Sequence, residues 1–164
     1  MLVIHENRGL TDHIRSVGGR LAGAGYTAFA LDLVSAQGGT ASFTDPATIG
    51  PALTQNAASR SVDDMKAALG ELQRRGPGAK LGAMGFCFGG GMVWQLVKAG
   101  EPPPLAAAVP FYGPIPEPDF SKSKAAVLGV YAEQDENVNR TRDGAKAALE
   151  RAGLPHEIRT FPGA

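Results

Sequence analysis

Short apolar runs alternate with amphipathic stretches along this chain, and that alternation restricts its fold more than any other feature. Leu2 to His5 is apolar and β-branched, the pattern of a buried strand. Thr11 or Asp12 can cap a helix running to about Ala24, with Gly25 as its stop. Thr27 to Leu31 reads as a second buried strand. Val34 to Gln55 is rich in Gly, Pro, Ser and Thr and is expected to form a long surface loop. Ser61 opens a helix, with Asp64 three residues on as a weaker form of the capping box. Val62, Met65, Leu69 and Leu72 share one face of that helix, and Gly76-Pro77-Gly78 ends it. Lys80 to Phe86, Ala106 to Phe111, Ala126 to Ala132 and Glu157 to Phe161 read as further strands. Helices are expected over Gly89 to Ala99 and from about Arg140 to Ala152, and Glu101-Pro102-Pro103-Pro104 reads as a stiff surface connection.

Strand, helix and strand in this order require right-handed crossovers, hence a mostly parallel sheet with helices on both faces. The expected class is therefore α/β, a three-layer sandwich of about six strands, as one domain over residues 1–164. Both ends read as cut. A strand begins almost at the first residue and no helix follows the last one, whereas a parallel sheet needs cover on both faces.

Composition narrows the function. Hydrophobic residues make up 43% of the chain and charged residues 20%, which favours a packed core over disorder. Sixteen basic residues balance sixteen acidic ones, so no strong field draws nucleic acid or an anionic membrane. No apolar run approaches the ~20 residues of a spanning helix. The first residues lack the basic end and long apolar stretch of a signal peptide, so the chain reads as soluble and cytoplasmic. The single cysteine, Cys87, allows neither an internal disulfide nor a C-x-x-C or structural zinc site, and no metal or other cofactor is expected.

In parallel sheets the chemistry gathers at the carboxyl ends of strands. Gly85-Phe86-Cys87-Phe88-Gly89 stands at such an end, between a strand and a helix. It has the form G-x-C-x-G, a nucleophile elbow with cysteine in the serine position. Small residues two before and two after the nucleophile let strand and helix approach closely. The turn lifts the thiol above the sheet at a helix N-terminus, which favours a thiolate. An inert buried cysteine beside glycines is the plainer alternative, but the flanking strand and helix favour the elbow. A dinucleotide loop fits poorly, because the run is G-x-x-x-G-G and follows the third strand rather than the first.

The segment His5-Glu6-Asn7-Arg8-Gly9-Leu10, the elbow through Gly91, and Ala108-Val109-Pro110-Phe111-Tyr112-Gly113 together resemble the dienelactone hydrolase (carboxymethylenebutenolidase) family over essentially the whole chain. The resemblance implies an α/β-hydrolase fold and a Cys-His-Asp triad that opens enol-lactones and related small esters through an acyl-cysteine. It implies that Cys87 is the nucleophile and Asp135, after the fifth strand, the triad acid. It implies that Glu6 contacts the resting thiol and helps to form the thiolate when substrate binds. The backbone N–H groups of Phe88 and Asn7 match the oxyanion hole. The family's histidine would follow the last strand, beyond Ala164. None of His5, His13 and His156 matches its place, so deacylation by this chain alone is expected to be poor. Arg8 and Arg60 are left without a role. Phe86, Trp94 and Tyr112 are pocket walls or core, with core favoured for Trp94.

Two readings follow. The first is a hydrolase of small esters or enol-lactones, represented by a piece that lacks the triad base. The second is a non-catalytic small-molecule-binding protein that keeps the α/β-hydrolase fold.

Overall fold

The apolar runs lie side by side in one sheet. The computed structural model describes residues 1–55, 58–100 and 102–164. Its strands are β1 (Leu2–Ile4), β2 (Phe29–Leu31), β3 (Leu81–Phe86), β4 (Leu105–Phe111), β5 (Ala126–Ala132) and β6 (His156–Phe161). They stand in the order β2-β1-β3-β4-β5-β6. Every neighbouring pair is parallel. The helices are α1 (Asp12–Gly23), α2 (Ile49–Gln55), α3 (Ala58–Arg75), α4 (Phe88–Ala99) and α5 (Glu136–Arg151). The fold is α/β, as the alternation implies.

Successive strand residues point to opposite faces, so β1 shows which helices lie where. Leu2 and Ile4 join the larger core, which holds Leu69 of α3, Val93 and Trp94 of α4 and Leu149 of α5. Val3 points the other way, into a smaller cluster with Leu10 and with Ile14 and Val17 of α1. The chain therefore leaves β1 for one face and β3 for the other. The ends of β1 and β3 flank the point where strand order reverses, the place where open α/β sheets bind ligands.

Three segments depart from the sequence pattern, each for a local reason. The expected loop from Val34 to Gln55 contains three 3₁₀ turns (Ser35–Gln37, Thr40–Ser42 and Pro46–Thr48) and then α2. Ile49 and Leu53, four residues apart, are buried at 1% and 2% exposure. Their shared face outweighs the turn-rich composition around them. Helix α3 begins at Ala58, and Ser61 is buried within it instead of capping it. Helix α5 begins at Glu136, four residues before the expected Arg140, because the Asp135 carboxylate accepts from Val138 N at 3.1 Å and caps it. Of the expected stiff connection, Glu101 lies outside the described residues.

Candidate active site

Cys87 stands in the strand-to-helix turn between β3 and α4 with φ 53° and ψ −116°, a backbone region that side chains rarely occupy. Two backbone hydrogen bonds hold it there. Its N–H donates to the Phe111 carbonyl at 3.0 Å, and its carbonyl accepts from Gly91 N at 3.0 Å. The glycine two positions on is compulsory: a Cβ at Gly89 would lie 2.5 Å from the His5 carbonyl oxygen and 2.6 Å from that of Ile4. The end of β1 thus sits directly against the first turn of α4. The thiol is half-buried.

A second strained turn follows β4. Tyr112 has φ 38°, and its N–H donates to the Val130 carbonyl at 2.7 Å. The next residue, Gly113, interlocks with the elbow, since a Cβ there would come within 2.1 Å of Gly90 and Gly91 backbone. The Tyr112 hydroxyl points back to the end of β1 and donates to Glu6 Oε1 at a long 3.4 Å. Burial, the charge of Glu6, the hydrogen bond to it and the proximity of Cys87 push the Tyr112 hydroxyl up to about 12. It is therefore a protonated donor at neutral pH. Phe86 stacks on Phe111 with ring centroids 4.9 Å apart.

Glu6, Asn7 and Arg8 form the loop between β1 and α1. The Glu6 side chain reaches Tyr112; among the described residues it makes no hydrogen bond to Cys87. Asn7 and Arg8 line a cleft of about 400 Å³ with Asp45, Pro46, Ala47, Gly50 and Pro51, and Cys87 is not in its wall.

His5, just before this loop, is fully buried. Its Nε2 accepts from Leu33 N at 3.0 Å, so Nδ1 carries the proton and donates to the Glu6 carbonyl at 2.6 Å. Burial holds the imidazole below its ordinary value, outweighing the opposing pull of the Glu6 carbonyl and of Asp32 at 3.8 Å. Asp32 in turn accepts from Val34 N at 3.2 Å, Thr40 N at 2.7 Å and Thr40 Oγ1 at 3.0 Å. Thr40 Oγ1 accepts from Leu10 N at 2.7 Å.

Asp135 lies at the carboxyl end of β5 and makes no hydrogen bond or ion pair with Cys87 or Glu6 among the described residues. None of the three histidines faces the thiol. Both ring nitrogens of His5 are occupied, His13 is exposed on α1, and His156 opens β6 at the opposite end of the sheet. Trp94 is fully buried. Phe88, whose N–H is the other expected oxyanion donor, is the first residue of α4.

A model of the dienelactone hydrolase family matches residues 1–164. The chain belongs to that family. It is 31% identical to a provisionally named carboxymethylenebutenolidase of Methylorubrum extorquens, over 100% of this chain and 61% of that protein. A Salmonella typhi protein with the same provisional name is 30% identical, over 100% of this chain and 65% of its own length. The chain thus spans less than two thirds of the length of each of these two curated relatives. Among solved structures, a provisionally named dienelactone hydrolase from Klebsiella pneumoniae superposes with a TM-score of 0.83 and 29% identity, over 99% of this chain and 73% of that one. A dienelactone hydrolase-like promiscuous phosphotriesterase from metagenomic libraries gives 0.82 and 26%, over 99% and 69%.

In this family member, the fold brings further polar residues around the elbow. Asp32 and Thr40 are 27 and 35 positions from His5, the first just after the second strand and the second inside what reads as a surface loop, so no local pattern marks them. Tyr112 meets Glu6 across 106 positions. Its one sequence signal is its place at the carboxyl end of a strand.

Proposed function

We propose that this chain carries the acylation half of an ester- or lactone-hydrolysing site within a single α/β-hydrolase domain, with Cys87 as the nucleophile. The observation that carries the reading is the strained elbow: a half-buried thiol at positive φ, at the N-terminus of α4 and at the reversal point of the sheet. The thiolate attacks the carbonyl carbon and an Sγ–C bond forms. Negative charge develops on the carbonyl oxygen, where the Phe88 and Asn7 backbone N–H groups receive it. The tetrahedral intermediate collapses and the ester C–O bond breaks, its electron pair leaving with the alcohol or enol oxygen. Glu6, at the neighbouring strand end, accepts the thiol proton. Asp135 is the acid that would orient an imidazole, and none of His5, His13 and His156 supplies that imidazole. Hydrolysis of the thioester is therefore the slow step for this chain.

The test is intact-mass spectrometry after mixing with p-nitrophenyl acetate. One acyl group per chain, placed on Cys87 by peptide mapping, persistent, and absent from Cys87→Ala, is the expected result. An unmodified parent chain, or the same adduct on Cys87→Ala, rejects the assignment. A binding protein without chemistry would give the first of those two results.

A further inference from the structure

The Glu6 carbonyl and the Asn7 N–H belong to one trans peptide, so they point in opposite directions. Whatever holds that carbonyl also aims that N–H. His5 Nδ1 holds it at 2.6 Å, and Gly9 N gives weaker support at 3.3 Å. The His5 ring is itself fixed, because Leu33 N donates to its other nitrogen and Asp32 stands at 3.8 Å. Asp32 then ties the far end of the same loop through Thr40, whose Oγ1 accepts from Leu10 N. Even the space behind the loop is closed, since a Cβ at Gly9 would fall 2.3 Å from Thr40 Oγ1. Both ends of the His5–Leu10 loop are thus tied to residues of the segment that follows β2.

We propose that His5, Asp32 and Thr40 are positioning residues that aim the Asn7 backbone N–H at the carbonyl oxygen under attack by Cys87. This rests on the oxyanion role proposed above for Asn7. A backbone donor is untouched by any side-chain replacement short of proline, so control over it lies in the residues that orient its peptide. His5 is suited to this because a neutral imidazole offers one donor and one acceptor on opposite sides of a rigid ring. Both are used here, by two different strand ends.

Two reagents separate aim from reactivity. Iodoacetamide alkylates the thiolate by direct displacement of iodide and forms no oxyanion. With p-nitrophenyl acetate, Glu6 accepts the thiol proton and the Sγ–C bond forms to give a tetrahedral oxyanion, which collapses as the C–O bond breaks and nitrophenolate leaves with the electron pair. Thr40→Val and His5→Ala are expected to slow acylation of Cys87 by about tenfold or more, given that a displacement near 1 Å costs up to ~10²-fold. Their alkylation rates should stay within about twofold of the parent, a margin well inside that effect. His5→Gln, which keeps a donor and an acceptor, should recover most of the acylation rate. Thr40 is only half-buried, so Thr40→Val keeps the test open if His5→Ala does not fold. Equal acylation and alkylation ratios in parent and folded variants overturn the proposal while leaving Cys87 as nucleophile. Parallel loss of both rates overturns it too, as general loosening. A parent that alkylates but never acylates removes the proposed function, and this inference with it.

Discussion

The loops after β1 and β5 have the same task, leading from a strand's carboxyl end into a helix, and each presents an acid of the proposed site. They are built in opposite ways. After β1 the Glu6 side chain makes no hydrogen bond to backbone among the described residues; His5, Asp32 and Thr40 tie the loop and leave the carboxylate to Tyr112. After β5 the acid is itself a support, since Asp135 caps α5. Its neighbours work likewise. Asn139 Nδ2 donates to the Ala132 and Glu133 carbonyls at 2.9 and 3.1 Å, and the Glu133 carboxylate accepts from Gly163 N at 2.9 Å. Loss of activity on removing Asp135 would therefore mix chemistry with folding, whereas removal of Glu6 isolates the chemistry.

The largest expected effect contrasts the helices that these two sides of the sheet lean on. Gly89→Ala drives a methyl into the Ile4 and His5 carbonyls and should cost about 3 kcal/mol in urea unfolding or prevent folding. Gly144→Ala in α5 meets only Pro118 Cγ at an ordinary 3.9 Å and should instead stabilise by about 0.5–1 kcal/mol. If both substitutions shift the unfolding midpoint alike, the close approach of β1 to α4 is not a special requirement.

Asp135→Ala comes next. It should lower stability by about 1 kcal/mol through loss of the cap, and Asp135→Asn should restore most of it. An unchanged midpoint in Asp135→Ala would leave the residue without its structural half.

A smaller effect appears only in acid. Burial lowers the folded-state value of His5 below 6.5, so the unfolded chain takes up the proton first. Stability is thus fully present above about 6.5 and is lost as pH falls below it. Asp32 is the charged group facing the ring and opposes this loss. Melting temperatures between pH 7 and 5 should fall less steeply for His5→Gln than for the parent; identical slopes would mean that His5 does not titrate in this way. The smallest stability change belongs to Glu6→Gln, within about 0.5 kcal/mol of the parent. Acylation of Cys87 should nonetheless slow, since a glutamine cannot accept the thiol proton. Parental acylation rates in Glu6→Gln would return Glu6 to the status of a loop residue.

The same contrast explains what the sequence made legible. β5 runs from Ala126 to Ala132, as its apolar run suggests, and the elbow falls between β3 and α4, as its glycines require. Both features are encoded within a few neighbouring residues. Helix α5 starts ahead of its apolar pattern because Asp135 caps it, and a cap carries no apolar periodicity. Ser61 carries a capping pattern, but the helix continues upstream to Ala58 and buries it. His5 has no role in the one-dimensional pattern because its partners, Asp32 and Leu33, are brought to it only by the parallel pairing of β1 with β2. Polar networks that join separate strand ends leave no periodic trace.

The interlock of Gly113 with Gly90 and Gly91 also decides where new specificities can enter this site. Backbone meets backbone there with no space for a side chain, so the floor under the proposed nucleophile is closed to variation whatever the substrate. The adjacent Tyr112 is different: its side chain leans over Glu6 from a turn whose course is set by its neighbours. A combinatorial library that spares positions 90 and 113 while diversifying position 112, with Asn and Gly among the replacements best matched to its positive φ, would keep the scaffold and remodel the surface beside Glu6 at the proposed site.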